Sequence, residues 1–358
     1  MQEAVAREGI ISFARFMELA LYCPKFGYYE RLNASPGQKG DYYTSVSTGG
    51  LFGELLAWQF AEWASERPGQ PWQILEAGAH DGRLAGDILR WLTAHLPGFL
   101  QQPEYWILEP SAKRRQIQEV NLTQPRGGVP VRWFDSWDAL PPMGLQGVIF
   151  SNELLDAMPV HRLGWDAARK QWFEWGVGVH AGEFSWERMP EPTDAALDQM
   201  LPELPNELLA VLPDGFVTEV GPATVDWWRR AARTLKNGRL VAFDYGLEAQ
   251  EFFTPERKAG TLRAYYRHQV SEEILARAGE QDITSHVNFS AIRNAGLAEG
   301  LQTESLATQA RFLTGIVQWM FKRDAACGKW LATQTRQFHT LTHPEHLGRA
   351  FHALVQKR

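Results

Sequence analysis

Four short apolar runs lie close together in the chain, and the material between them decides the fold class. Ile74-Leu75 leads into a glycine turn at 78–82 and an apolar-periodic helix over Leu84–Leu92. Tyr105–Leu108 is followed by a polar helix reaching about Val120, and Val131–Phe134 and Val148–Phe150 come next. Short apolar runs that alternate with helices describe βαβ units, whose crossovers cover both faces of a mostly parallel sheet. The rhythm resumes with a helix near Ala223–Leu235, the Asn237-Gly238 stop and a strand over Leu240–Phe243. The expected class is α/β, a Rossmann-like core on a mostly parallel sheet.

The rest of the chain decorates that core. A helix fits Ile10–Tyr22, with Ser12 placed to cap it, and a second fits Leu51–Ser65. With the Gly/Ser/Pro/Thr-rich loop at 31–50 they form an N-terminal helical cap over 1–69. Gln171–Val179 is aromatic and β-branched, with Glu183–Trp186 as its hairpin partner and a proline-rich stretch after it. This reads as an insertion, 160–214, near the substrate entrance. The core then spans 70–159 and 215–300, with a polar helix near Ser271–Ala278 and a strand over Ile283–Phe289. Residues 301–358 read as a C-terminal helical region.

Charge and composition exclude several classes. Lys and Arg number 36 against 42 Asp and Glu, a net charge of −6, so nucleic acid is not the expected partner. No apolar run approaches the roughly 18 residues of a membrane span, so no membrane insertion is expected. The first twenty residues mix Glu3, Arg7, Glu8, Arg15 and Glu18 with apolar positions, unlike a signal or transit peptide. Cys23 and Cys327 build neither a disulfide framework nor a CxxC zinc motif. His339, His343 and His346 lack an HExxH glutamate and are interrupted by Pro344, so they read as surface and no metal site is expected. Arg114-Arg115 and Arg229-Arg230 read as solvated helix faces, and the 15 Trp as core and sheet-face residues. The expectation is a soluble, cytoplasmic protein of open oligomeric state.

The chemistry concentrates at two strand ends. In Leu75-Glu76-Ala77-Gly78-Ala79-His80-Asp81-Gly82-Arg83 a strand meets a helix at the first crossover, where open α/β sheets bind ligands. A dinucleotide loop wants GxGxxG around a pyrophosphate. Here only Gly78 and Gly82 are present, and Glu76 and Asp81 stand beside them. Carboxylates repel a diphosphate but suit a cation bearing an amino group. S-adenosyl-L-methionine, a sulfonium with an ammonium, is such a ligand. Glu109 ends the next strand, where an acid takes ribose hydroxyls, and Asp135-Ser136 end the third, near the adenine edge.

The second constellation is Ser151-Asn152-Glu153-Leu154-Leu155-Asp156-Ala157-Met158-Pro159. A polar Asn-Glu pair directly after an apolar strand faces the same crevice. If a helix begins there, Glu153 and Asp156 share a face, and Asn152 or Glu153 serves as its cap. Methyl transfer needs an acceptor held in line, and positioning alone supplies about 7–11 kcal/mol. Carboxylates orient an amine or guanidinium for that purpose.

These motifs, in this order, resemble the MidA-like family of S-adenosyl-L-methionine-dependent methyltransferases, which includes a mitochondrial complex I assembly factor. The resemblance runs through nearly the whole chain. It includes Gly27-Tyr28-Tyr29, Gly40-Asp41-Tyr42-Tyr43-Thr44-Ser45, the Glu76 loop and Leu108-Glu109-Pro110-Ser111. It continues through Asn152-Glu153, Thr218-Glu219-Val220, Asp244-Tyr245-Gly246 and Gly260-Thr261-Leu262-Arg263 with His268. It implies a class I methyltransferase core, S-adenosyl-L-methionine as methyl donor and a protein substrate presenting an arginine. Symmetric dimethylation and respiratory-complex assembly follow from the same resemblance. Glu153 and Glu219 are then the carboxylates that grip the guanidinium, Asn152 and Asp156 shape the crevice, and residues 40–45 fold over the cofactor with Thr44 and Ser45. His80 and Asp81 stand where the family is expected to place small residues. Two other readings fit these residues: a cofactor-binding assembly chaperone without catalysis, and a methyltransferase of small-molecule acceptors.

Overall fold

Ser12 caps α1 (Phe13–Tyr22): its Oγ accepts the backbone N–H of Arg15 at 3.2 Å. The computed structural model describes residues 1–31, 44–95, 103–124, 127–142, 144–267, 269–323 and 330–358. After α2 (Leu51–Ser65) the βαβ rhythm begins, with β1 (Gln73–Ala77), α3 (Arg83–His95), β2 (Glu104–Leu108), α4 (Ala112–Asn121), β3 (Val131–Phe134) and β4 (Leu145–Asn152). The insertion supplies β5 (His161–Asp166), β6 (Gln171–His180) and β7 (Glu183–Arg188). Then come β8 (Val217–Val220), α5 (Pro222–Thr234), β9 (Leu235–Leu247), β10 (Arg263–Tyr266), β11 (Asp282–Thr284), α6 (Phe289–Ala298), β12 (Gln302–Thr308), α7 (Gln309–Arg323), α8 (Ala332–Thr342) and β13 (Phe351–Lys357).

The main sheet has the order β12-β13-β9-β4-β1-β2-β3. Pairs from β9 through β3 are parallel, while β13 runs antiparallel to both β9 and β12. Consecutive residues point to opposite faces, and both faces are covered. Ile74, Val148 and Val241 pack against α2, α3 and α7, whereas Leu75, Ile149 and Leu240 pack against α5 and α6. A strand buried on both sides reads as an unbroken apolar run, which is why these strands are conspicuous in the sequence.

Register sets the functional edge. Ala77 pairs with Leu108 and with Ser151, and Asn152 pairs with Phe243. The carboxyl ends of β1, β2 and β4 therefore lie level, the loops carrying Gly78, Glu109 and Glu153 open on one side of the sheet, and β9 runs on past them with Asp244 one residue beyond Phe243.

Several expectations change. Residues 301–358 are not only helical: β12 and β13 add two strands to the core sheet. No helix forms over 271–278, where turns are held by Gln281, whose buried Nε2 donates to the carbonyls of Glu273 and Ile274. The strand expected over 283–289 is split into β11 and a short Val287–Asn288 pairing, after which Asn288 caps α6. The insertion's sheet also recruits Ile11-Ser12 and β8.

Candidate functional site

A cavity of about 540 Å³ opens at the carboxyl ends of β1, β2 and β4, within the range of small-molecule sites. Gly78 begins its floor. With φ at +71° it adopts a conformation that favours glycine, and an added Cβ would meet the Leu154 side chain at 2.8 Å. Its N–H donates to the Leu108 carbonyl at 3.1 Å, tying the loop to β2. Gly82, at φ +80°, faces Leu122 and Gln118 and shapes the turn without lining the cavity.

The acids of this loop differ in state. Glu76 is buried, and burial pushes its carboxyl up to about 8 against the opposing hydrogen bond from Tyr105. Asp81 goes the other way. Burial raises it, but the neighbouring His80 ring, the Arg83 N–H donating to Oδ1 at 3.0 Å and the Arg83 guanidinium bring it down to about 2. Glu109 accepts the Ser111 N–H at 3.0 Å and Gln118 Nε2 at 3.1 Å, and burial still holds its carboxyl above the usual range. Asp135 and Ser136 line the cavity together, the Ser136 hydroxyl donating to Asp135 at 3.0 Å. Leu108, Trp137, Leu154, Met158 and Trp227 give an apolar slot between these acids. The set fits a cationic ligand with an amino group, ribose hydroxyls and a flat base: carboxylates for the first two, an apolar slot for the third.

The other end of the cavity is built around Glu153. Its φ is +51°, costly for a residue with a side chain, and its N–H donates to the Phe243 carbonyl at 2.9 Å. Oε1 accepts the Ser45 N–H at 3.0 Å and Asn152 Nδ2 at 3.1 Å. Glu153 Oε2 and Asn152 Oδ1 have no hydrogen-bond partner among the described residues. Burial pushes the Glu153 carboxyl up to about 8. Tyr22 and Tyr29 also line the cavity, the Tyr22 hydroxyl donating to the Ala157 carbonyl at 2.9 Å, and stack with ring centroids 5.6 Å apart.

The helix considered after β4 does not form. Asp244 Oδ2 accepts the N–H groups of Leu154 at 3.2 Å, Leu155 at 2.9 Å and Asp156 at 3.4 Å, wrapping the segment into a turn around one carboxylate. Asp156 is consequently not on a helix face with Glu153. It lies buried behind the cavity wall, facing Asp244 and Asp282, and burial with these like charges raises its carboxyl.

Glu219 stands apart. It accepts the N–H and hydroxyl of Thr261 at 2.7 and 2.9 Å and lies 3.8 Å from Arg162, outside the cavity that Glu153 lines. Its Oε2 holds the Gly260-Thr261 turn, while its Oε1, like Glu153 Oε2, is buried without a hydrogen-bond partner among the described residues. Thr44 lines the cavity and exchanges hydrogen bonds with Ser47. Ser45 is buried beneath, its hydroxyl donating to Gln309 at 3.1 Å. Residues 40–43 of the expected lid, His268 and Cys327 lie outside the described residues.

Sequence reasoning missed the role of Arg114. It is not on a solvated face but buried against the cavity, its Nε donating to the Tyr29 carbonyl at 3.0 Å. A polar helix without a clear apolar stripe offered no signal for this.

Residues 55–307 match the family model described as S-adenosyl-L-methionine-dependent methyltransferase. A Burkholderia thailandensis protein crystallised with S-adenosyl-homocysteine bound is 31% identical, with a TM-score of 0.85 over 100% of this chain and 90% of that one. The protein named mitochondrial protein arginine methyltransferase NDUFAF7 in Rattus norvegicus is 28% identical, over 96% of this chain and 80% of its own length. The homologue of that name in Drosophila melanogaster is 25% identical, over 84% and 70%. With a glycine turn, acidic strand ends and level loops all in place, the chain belongs to the MidA-like family of S-adenosyl-L-methionine-dependent methyltransferases.

Proposed function

We propose that this chain methylates an arginine guanidinium presented by a protein substrate. The observation that carries the reading is Glu153: a buried carboxyl on a strained backbone, one oxygen fastened by Ser45 and Asn152, the other without a partner among the described residues. The names of the arginine methyltransferase relatives support the choice of acceptor.

S-adenosyl-L-methionine, when bound, supplies the methyl group. Glu76, Asp81 and Glu109 would hold its ammonium and ribose, and Trp137 and Met158 would cover its base, all lining the one cavity. The remaining work belongs to Asn152 and Glu153. A guanidinium is protonated at any physiological pH, so one nitrogen must shed a proton as the new N–C bond forms. Asn152 Oδ1 and Glu153 Oε2 are two acceptors for its N–H groups. The arriving cation drives Glu153 to ionise, and the carboxylate then takes the proton released on transfer. The Tyr22 and Tyr29 rings flank this end, and tyrosine faces favour a cation.

The test is mass spectrometry of arginine-bearing and lysine-bearing peptides incubated with the full chain and S-adenosyl-L-methionine. Addition of a methyl group to arginine alone is the expected result, and fragmentation counts the methyls, symmetric dimethylation placing one on each terminal nitrogen. Modification of lysine or of a metabolite pool, with arginine untouched, contradicts the reading.

A further inference from the structure

Arg114 reaches in two directions. Its Nε donates to the Tyr29 carbonyl at 3.0 Å, and its Nη1 lies 3.1 Å from His80 Nε2. Arginine only donates, so His80 Nε2 is the acceptor and the ring proton sits on Nδ1. That nitrogen lies 3.9 Å from Asp81 Oδ1. Hydrogen bonds thus run from His80 through Arg114 to Tyr29, with Asp81 beside the far nitrogen of the His80 ring.

Other side chains of α4 grip the same two segments. Gln118 Nε2 donates to the His80 carbonyl at 3.0 Å, and Asn121 Nδ2 to the Asp81 carbonyl at 2.8 Å. On the far side, Lys113 Nζ donates to the carbonyls of Pro24 and Glu30 at 3.4 and 3.3 Å. Tyr29 is itself fixed at both ends, because its hydroxyl donates to Asp282 at 2.8 Å. The Tyr22 hydroxyl donates to the Ala157 carbonyl at 2.9 Å. A displacement of the Tyr29 carbonyl is therefore passed to the stacked ring pair at the acceptor end. His80 holds φ at +48°, so the loop maintains the ring's position at a backbone cost.

We propose that Arg114 is a positioning residue that joins the cofactor loop to the tyrosine wall of the acceptor site, so that filling the first orders the second. The inference rests on the reading of Tyr22 and Tyr29 as the acceptor wall. Arg114 reaches the Tyr29 carbonyl and the His80 ring from two separate nitrogens, Nε and Nη1, a spacing that the single ammonium nitrogen of lysine does not reproduce.

The experiment is hydrogen–deuterium exchange of the full chain with and without S-adenosyl-homocysteine, in the native protein, Arg114→Lys and His80→Gly. In the native protein the ligand is expected to slow exchange over 78–83 and also over 22–31, by about fivefold or more in the latter, the lower end of typical coupling. In both variants protection over 78–83 persists and protection over 22–31 is lost. His80→Gly removes the ring while relieving the positive φ, so its loss of coupling is not a loss of fold. Equal protection of 22–31 in native and variant proteins overturns the proposal, as does protection confined to 78–83 in the native protein. Coupling that persists while arginine peptides stay unmethylated supports the network and contradicts the acceptor assignment instead.

Discussion

The Tyr105 hydroxyl donates to Glu76 Oε2 at 2.6 Å, across neighbouring strands β1 and β2 and out of contact with water. It is the hydrogen bond that partly offsets the cost of burying Glu76. Without it the carboxyl becomes harder to ionise, and the ligand's ammonium loses a negative partner. A hydrogen bond to a charged group contributes about 1.5–3 kcal/mol. Tyr105→Phe is expected to weaken S-adenosyl-L-methionine binding about tenfold or more at pH 7, measured by calorimetric titration.

Stability should fall as pH rises. Glu76 and Glu153 move from an ordinary 4.5 to about 8 in the folded chain. Between those values the native state binds more protons than the unfolded state, so the stability they contribute at low pH is lost by about pH 8. Each unit of displacement corresponds to about 1.4 kcal/mol. Asp81 has the opposite sign in a window between 3.8 and about 2 that does not overlap; His286, pushed down to about 4 by burial, opposes the decline only up to about pH 6.5, while Asp244, raised to about 8, adds to it. Melting temperatures followed from pH 5 to 8 should decline, and Glu76→Gln should flatten the decline and melt higher than the native protein at pH 8.

Glu219 differs from Glu153 in lying outside the cavity. Its carboxylate secures the Thr261 turn and faces Arg162. Glu219→Gln is expected to lower the melting temperature, with about 1–3 kcal/mol lost from a buried charged network, and to leave the affinity for S-adenosyl-homocysteine unchanged. Thermal denaturation paired with titration checks this. An unchanged melting temperature with abolished turnover would return Glu219 to a catalytic role.

The sheet was legible in the sequence where short apolar runs alternate with helices, as Tyr105–Leu108 and Leu240–Phe243 show. Edge structure was not. Gln302–Thr308 begins Gln-Thr-Glu-Ser and stays exposed there, so its pattern resembles a loop. β13, an interior strand, has its apolar run broken by His352 and Gln356 and lies far in sequence from its partner β9. At the site, adjacency carried the reading: Asn152 and Glu153 follow a strand directly, and Gly78 precedes a helix. Contacts between distant segments left no local trace. Nothing near Asp244 announces that it will collect three N–H groups from 154–156 and prevent a helix there. Nothing near Arg114 announces Tyr29, 85 positions away.

The measurement closest to the central claim is single-turnover methylation of an arginine peptide by the native chain and by Glu153→Gln, with S-adenosyl-homocysteine affinity measured on both. Glutamine keeps the volume and the oxygen that accepts the Ser45 N–H, but it cannot take a proton. The account predicts turnover lowered by about 10²-fold or more, as for loss of a general base, with affinity held within about threefold because the residue acts at the acceptor end. Turnover undiminished in Glu153→Gln would contradict it.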